Sequence, residues 1–164
     1  MTIELNTCEI NTVVPDDEMM EITVDSGAGE AVANPKHFPN SPLTDSPGSL
    51  AGQYYLGPGG EKIPNEGQLT TGMTLEGGQQ GKFTFQAAPV RKPLLAVSSV
   101  NDKGNLVIFD GDESYIIPGK ATDWIKKLRG LVQQIPGKLK LHRKNGVYNL
   151  KAWRPKAVFS RQGN

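Results

Sequence analysis

The sequence predicts an all-β domain at residues 1–119, followed by a basic extension at residues 120–164. Glycine (19) and proline (12) together supply 31 of the 164 residues, a content that favours turns and short strands over long helices. Apolar segments before residue 119 are short and bounded by turn residues, as is typical of strands. Only residues 123–135 repeat apolar side chains at helical spacing, so we expect one helix in the extension.

Strand-like segments follow one another along the first 119 residues. They lie at residues 2–14, 19–24, 53–56, 67–75, 82–87, 106–109 and 115–117. Residues 34–52 hold four prolines and show neither a helical nor a strand period, which predicts a long loop. The glycine-rich residues 57–64 stand between the segments 53–56 and 67–75, and they predict a hairpin arm flanked by those two strands.

In the extension, the pattern predicts one amphipathic helix and one hairpin. Thr122 or Asp123 can cap a helix over about 123–135, which Pro136 and Gly137 end. Asn-Gly at 145–146 between apolar segments is a strong hairpin signal, so we expect a hairpin at about 138–153. The residues after Pro155 predict a disordered end.

Charge is divided unevenly between the domain and the extension. Residues 1–119 carry 6 Lys or Arg and 16 Asp or Glu, whereas residues 120–164 carry 12 basic residues and one acid. Two interpretations stay open. The extension packs on its own acidic body, or it contacts a nucleic acid or a protein partner, because clustered cations release counterions from phosphate backbones.

The cysteine, histidine and apolar content limits which cellular compartment and which cofactors we expect. The single cysteine, Cys8, excludes an internal disulfide, and no apolar run approaches the roughly 20 residues that span a bilayer. The N-terminus lacks the basic-then-apolar order of a secretory signal, so we expect a cytoplasmic protein with no membrane contact. With one cysteine and the distant His37 and His142, the sequence offers no recognisable metal site, and no cofactor is expected.

The segment richest in chemistry is residues 22–28, where a β-branched strand leads to Asp25, Ser26, Gly27 and Ala28. Two carboxylates that share a proton can activate water, provided that each lies on a tight turn with inward-pointing backbone N–H groups. The small residues after Asp25 leave room for that approach. The competing interpretation is an ordinary surface turn, because Asp and Ser before Gly are common turn residues.

The order of the elements resembles that of retropepsin-like aspartic proteases. Residues 25–28 match the family signature of Asp, Ser or Thr, Gly and Ala. The family then has a glycine-rich flap hairpin, and the sequence LGPGGEKIPNEG at 56–67 lies in that position. Later, an apolar-apolar-Gly strand passes behind the acid turn; residues 93–96 match it, with Ala96 in place of the glycine.

The downstream segments look like the protease region of copia-type retrotransposon polyproteins. The resemblance covers about residues 20–117 and, more weakly, residues 138–151. It implies an aspartic endopeptidase that cleaves an extended polypeptide, expected to be a retroelement polyprotein, through a dyad-bound water. Asp25 is the implied catalytic residue. The implied flap and substrate-binding residues are Leu56, Gly57, Pro58, Gly59, Gly60 and Ile63.

The number of acid turns sets the expected assembly. Asp25-Ser26-Gly27 is the one intact acid turn, because Asp45-Ser46 is followed by Pro47. A working enzyme would therefore be a homodimer with one Asp25 from each chain. The alternative function is a non-catalytic, monomeric module of the same fold, whose basic residues 120–164 contact nucleic acid or a protein partner.

Overall fold

The computed structural model describes residues 1–4 and 18–154, and this part of the chain has a mainly β architecture. Its strands are β1 (Thr2–Glu4), β2 (Thr23–Asp25), β3 (Val32–Ala33), β4 (Leu43–Thr44), β5 (Tyr54–Leu56), β6 (Lys62–Pro64), β7 (Gly67–Thr74), β8 (Gln80–Ala87), β9 (Leu94–Ala96), β10 (Leu106–Ile108), β11 (Tyr115–Ile117), β12 (Leu141–Lys144) and β13 (Val147–Leu150). Its α-helices are α1 (Pro47–Leu50), α2 (Val97–Asp102) and α3 (Thr122–Gln134). Two short helices, α1 and α2, lie between the strands of the predicted all-β domain, and the described part of residues 1–119 is mainly β.

Some predicted features lie outside the described residues. They are Cys8, most of the strand predicted at 2–14, and the disordered end predicted after Pro155. Within residues 1–4 and 18–154, no helix is long and apolar enough to cross a bilayer.

Seven strands form the main sheet, in the order β2-β9-β3-β8-β7-β4, with β1 also paired to β8. β7 and β8 are its longest strands and pair antiparallel from Gly67 opposite Ala87 to Thr74 opposite Gln80. Side chains along β8 alternate between the core, as for Phe83 and Phe85, and solvent. This period of two directs one face of the sheet into the core.

An aromatic stack forms the centre of the core. Phe85 is fully buried, and its ring lies parallel to that of Phe38 at a centroid distance of 5.5 Å and to that of Phe83 at 6.2 Å. Offset aromatic pairs add to the stabilisation that burial alone provides. Phe38 belongs to the proline-rich segment predicted as a loop, so this segment contributes directly to the core.

The prediction of a long loop at 34–52 is wrong in part, because short elements order this segment. A 3₁₀ turn spans Pro35–His37, β4 pairs with β7, and α1 follows. The Ser46 hydroxyl caps α1 by accepting a hydrogen bond from the Ser49 N–H at 3.1 Å. Burial of Phe38 and this cap give the segment a fixed path over the sheet.

The predicted helix and hairpin of the extension are confirmed. α3 covers Thr122–Gln134, but its N-cap is Ala121, so neither Thr122 nor Asp123 caps it. Asp123 lies instead in the first turn, where its charge favours the positive end of the helix dipole. At 145–146, both residues of the hairpin turn have positive φ (52° and 78°), as a two-residue turn between right-twisted strands requires.

Candidate active site

Asp25 is the last residue of β2, and the neighbouring strand β9 runs parallel to it. The pairs are Thr23 with Leu94, Val24 with Leu95, and Asp25 with Ala96. The Thr23 N–H donates to the Pro93 carbonyl at 3.1 Å and begins the ladder. The segment that the resemblance identified as the strand behind the acid turn is therefore the hydrogen-bonded neighbour of the acid strand.

The turn after β2 fixes one oxygen of the Asp25 carboxylate. The Gly27 N–H donates to Asp25 Oδ1 at 2.7 Å, which closes a tight side-chain turn. A Cβ atom on Gly27 would lie 3.2 Å from that oxygen, a tight contact, so glycine suits the position best. Asp25 is half-buried, while Ser26 and Gly27 are exposed. The acid is thus anchored at one oxygen on a turn that faces solvent.

Ala96, which replaces the family's glycine, fits without strain. Its backbone is extended (φ −66°, ψ 127°), a conformation that any L-residue adopts, and its side chain is fully buried. It also keeps its place opposite Asp25 in the ladder. The substitution therefore leaves the pairing behind the acid turn intact.

Helix α2 begins directly after Ala96 and ties the acid turn to the sheet. The Ser98 hydroxyl, which is buried, donates to the Gly29 carbonyl at 3.4 Å. Because parallel strands β2 and β9 end together, the acid turn and α2 lie at the same end of the sheet. We call this region, residues 25–29 with α2, the acid end.

A polar network links the residue after the acid turn to the predicted flap. Glu30 Oε2 accepts hydrogen bonds from the Tyr55 hydroxyl at 2.9 Å and from Gln53 Nε2 at 3.0 Å. The buried Asn65 donates from Nδ2 to the Tyr55 hydroxyl at 3.2 Å and to Gln86 Oε1 at 3.0 Å. The base of the hairpin is therefore hydrogen-bonded to the chain that leaves the acid turn.

Sequence reasoning missed Glu30 and Tyr55. They are 25 residues apart in different elements, and no spacing rule joins them. The available signal was weak: Glu30 is the first acid after the turn, and Tyr55 stands in a short aromatic strand.

The predicted flap is a short hairpin with a closed tip. β5 pairs antiparallel with β6, and the Gly57 N–H donates to the Glu61 carbonyl at 2.9 Å. Glu61 Oε2 also accepts from the Gly59 N–H at 2.9 Å, while Gly60 takes a φ of 81° that favours glycine. The tip is therefore held by its own backbone and by one carboxylate.

The strands of this arm differ from the prediction. Residues 67–75 were expected to flank the arm opposite residues 53–56, but β5 pairs with β6, whereas β7 pairs with β8. The reason lies at Asn65, whose Oδ1 accepts from the Gly67 N–H at 2.9 Å, and at Gly67, whose φ of 134° redirects the chain. The hairpin is consequently separate from the main sheet.

The predicted substrate-binding residues lie on this hairpin. Leu56 is 69% exposed, Ile63 on β6 is half-buried, and the remaining residues form the tip. Those at the tip are Gly57, Pro58, Gly59 and Gly60. An exposed apolar side chain beside exposed backbone suits contact with an extended peptide.

The second Asp-Ser sequence forms a different structure. Ser46 is buried as the cap of α1, and the Ser49 hydroxyl accepts in turn from the Ser46 N–H at 2.9 Å. Asp45 therefore precedes a helix cap and does not lie on a second acid turn. A carboxylate pair built from such turns needs two copies of the chain.

Removing the Tyr55 hydroxyl is expected to weaken the link between hairpin and acid turn. Burial and the hydrogen bond to Glu30 raise the pKa of Tyr55 well above the ordinary value of a tyrosine hydroxyl, about 10. Folding thus favours the neutral phenol, so its stabilisation is complete below about pH 10 and is lost as the pH rises toward the raised pKa. Tyr55→Phe should lose about 1 kcal/mol of unfolding free energy at neutral pH, a difference that shrinks in alkali.

Urea unfolding of the native protein and Tyr55→Phe, at neutral pH and above about pH 10, measures this difference. Tyr54→Phe is the matched control, because Tyr54 interacts through its ring, over which Lys62 Nζ lies at 4.3 Å. An equal loss in both variants would contradict the role of the Tyr55 hydroxyl.

Comparison with known proteins supplies no family for this chain. No family model matches it, and no curated protein or solved structure is significantly similar to it.

Proposed function

We propose that the chain is a retropepsin-like aspartic endopeptidase that works as a homodimer. The observation that carries the proposal is the pairing of β2 with β9, which ends at Asp25 on a turn of small residues. The anchored Oδ1 and the exposed position of the turn support an acid poised to meet a second carboxylate. The hairpin β5–β6, hydrogen-bonded through Tyr55 to Glu30, supports a flap over the same site.

In this proposal, the two Asp25 carboxyl groups share one proton, since like charges at hydrogen-bond distance do not both ionise. The carboxylate takes a proton from a bound water, whose oxygen attacks the peptide carbonyl carbon. The carboxylic acid gives its proton to the carbonyl oxygen, which yields a tetrahedral diol. Proton transfer to the nitrogen then breaks the C–N bond and releases an amine and a carboxylic acid, with no covalent enzyme intermediate.

The proposed substrate is an extended polypeptide bound as a strand between the hairpin and the acid turn. The exposed Leu56 and the backbone of the tip offer apolar contact and hydrogen bonds to such a chain. A retroelement polyprotein processed in the cytoplasm is the proposed natural substrate, in keeping with the sequence resemblance. Closure of the hairpin would exclude water and orient the scissile bond.

The direct test is cleavage of a mixed peptide library between about pH 4 and 7, with molecular mass recorded under the same conditions. We expect cleavage that requires the dimeric species and that grows with protein concentration as dimers form. A well-folded monomer at high concentration that cleaves no peptide would refute the dimeric protease.

A second candidate function is polyanion binding by the extension, with or without catalysis. Ten basic residues lie at 120–154, and of these only Arg143 forms a salt bridge within the described chain. The others are exposed, among them Lys126, Lys127 and Arg129 on α3. Clustered, exposed cations are the electrostatic footprint of a nucleic-acid partner.

Binding to a single-stranded oligonucleotide over a range of salt concentrations tests this second function. Replacing Lys126, Lys127 and Arg129 together by Gln should reduce the slope of log affinity against log salt by up to about 2, since each contact to a single strand contributes roughly 0.7. Arg91 and Lys92, exposed basic residues of the body, provide the control when replaced by Gln. Equal effects of the two replacements would exclude the extension as the binding surface.

A further inference from the structure

The hairpin of the extension, β12–β13, lies directly on the acid turn. A Cβ atom on Gly146 would lie 2.3 Å from the Gly29 carbonyl oxygen and 2.8 Å from the Gly29 Cα. In the other direction, a Cβ atom on Gly29 would lie 3.0 Å from the Asn145 carbonyl oxygen. Gly146 therefore leaves no room for a side chain against Gly29, and a side chain on Gly29 would make a tight contact with the Asn145 carbonyl.

Two side-chain contacts extend this docking onto α2. Arg143 donates two parallel hydrogen bonds to Asp102, with Nη1 to Oδ1 at 2.5 Å and Nη2 to Oδ2 at 2.7 Å. The hydrogen bonds from Arg143 hold the pKa of Asp102 below its ordinary value. Asn101 Nδ2 donates to the Tyr148 hydroxyl at 2.7 Å. The hairpin therefore contacts both parts of the acid end.

The side-chain contacts that hold the docked hairpin are largely exposed to solvent. The side chains of Arg143 and Asp102 are 41% and 57% exposed, and exposed ion pairs contribute little because water and salt screen them. Leu141 and Leu150 of the hairpin are more than half exposed, so docking buries little of their apolar surface. Such contacts fix the position of the hairpin but contribute little to the free energy of docking.

We propose that this hairpin is an intramolecular cap that competes with a second copy of the chain for the acid end. The inference rests on the proposed dimeric protease. Gly29 is four residues from Asp25, at most about 14 Å even in an extended chain. The carboxylate of a partner copy has to come within hydrogen-bond distance of Asp25, and it brings its own acid turn with it. The acid turn of the partner copy would approach the surface on which residues 145–146 lie. Release of the hairpin therefore favours dimerisation.

Arg143→Glu tests the cap, because it places a carboxylate opposite Asp102. Lys144→Glu is the matched control: it makes the same charge change on the same strand at an exposed side chain. Deuterium exchange of residues 141–150 measures release, molecular mass measures the dimer fraction, and peptide cleavage measures activity. We expect Arg143→Glu to raise exchange, and to raise the dimerisation constant by about two- to fivefold over Lys144→Glu.

Gly146→Val is the second variant, since its side chain cannot fit against Gly29. If the hairpin is released but the dimer fraction stays the same or falls, the cap proposal is wrong. The hairpin would then be a support of the acid turn. Unchanged deuterium exchange in both variants would also contradict the cap proposal. It would show that the contacts of Arg143 with Asp102 and of Gly146 with Gly29 do not hold the hairpin in place. More dimer without any cleavage would uphold the cap and refute the protease instead.

Discussion

Asp25→Asn is expected to abolish peptide cleavage while the fold and the dimer persist. An amide cannot exchange the proton that a carboxyl pair shares, and general acid–base catalysis contributes about 10²–10⁴-fold to a rate. The amide oxygen can still accept from the Gly27 N–H, which donates at 2.7 Å in the native protein, so the turn should survive. The measurement is kcat for the best peptide of the library, with circular dichroism and molecular mass as checks on fold and assembly.

Asp45→Asn is the matched control, because Asp45 is an exposed acid that also precedes a serine. It should cleave at the native rate. Mixing native chains with an equal amount of Asp25→Asn chains provides a further check: random pairing leaves each native chain with a native partner in about half of its dimers. Activity per native chain should fall by about half. Full retention of activity in the mixture, or in Asp25→Asn itself, would refute a dyad of two Asp25 groups.

Phe85→Ala is expected to produce the largest loss of stability among single core substitutions. Phe85 is fully buried on β8 and stacks between Phe38 and Phe83. Removal of a buried phenyl ring costs about 3–5 kcal/mol through lost burial and the cavity left behind. Since domains are stable by only about 5–15 kcal/mol, this variant should be close to unfolding at room temperature.

Urea unfolding followed by circular dichroism measures the loss, with Phe109→Ala as the matched control. Phe109 is 58% exposed, and its substitution should change the unfolding free energy by about 0.5 kcal/mol or less. A loss below about 1 kcal/mol in Phe85→Ala would show that the aromatic stack is not the centre of the core.

Local patterns predicted the elements whose partners lie close by in the chain. The sequence pattern at 82–87 identified the strand β8. Asn-Gly at 145–146 identified the hairpin β12–β13, because few other residues adopt the two left-handed conformations that its turn requires. The helical spacing at 123–135 identified α3, although Ile125 (4% exposed) is the one residue of this helix that is fully buried.

Local sequence patterns did not predict which distant segments of the chain contact each other. The neighbour of β2 came from the family resemblance, since no periodicity indicates that residues 23–25 pair with residues 94–96. Phe38 lies among prolines, and its burial depends on the shape of the sheet that it covers. The network around Glu30 and the contact between Gly29 and Gly146 depend likewise on how distant segments meet.

The parallel pairing of β2 with β9 also determines when the acid turn can form during protein synthesis. Ala96, the partner of Asp25, is made 71 residues later, which takes about 4–14 s at common translation rates. Closing so long a loop costs entropy before any pairing offsets it. Within the described chain β2 joins the sheet through β9 alone. A nascent polypeptide therefore holds no finished acid turn until β9 has left the ribosome, so the proposed hydrolysis of a precursor begins only after this whole region has been translated.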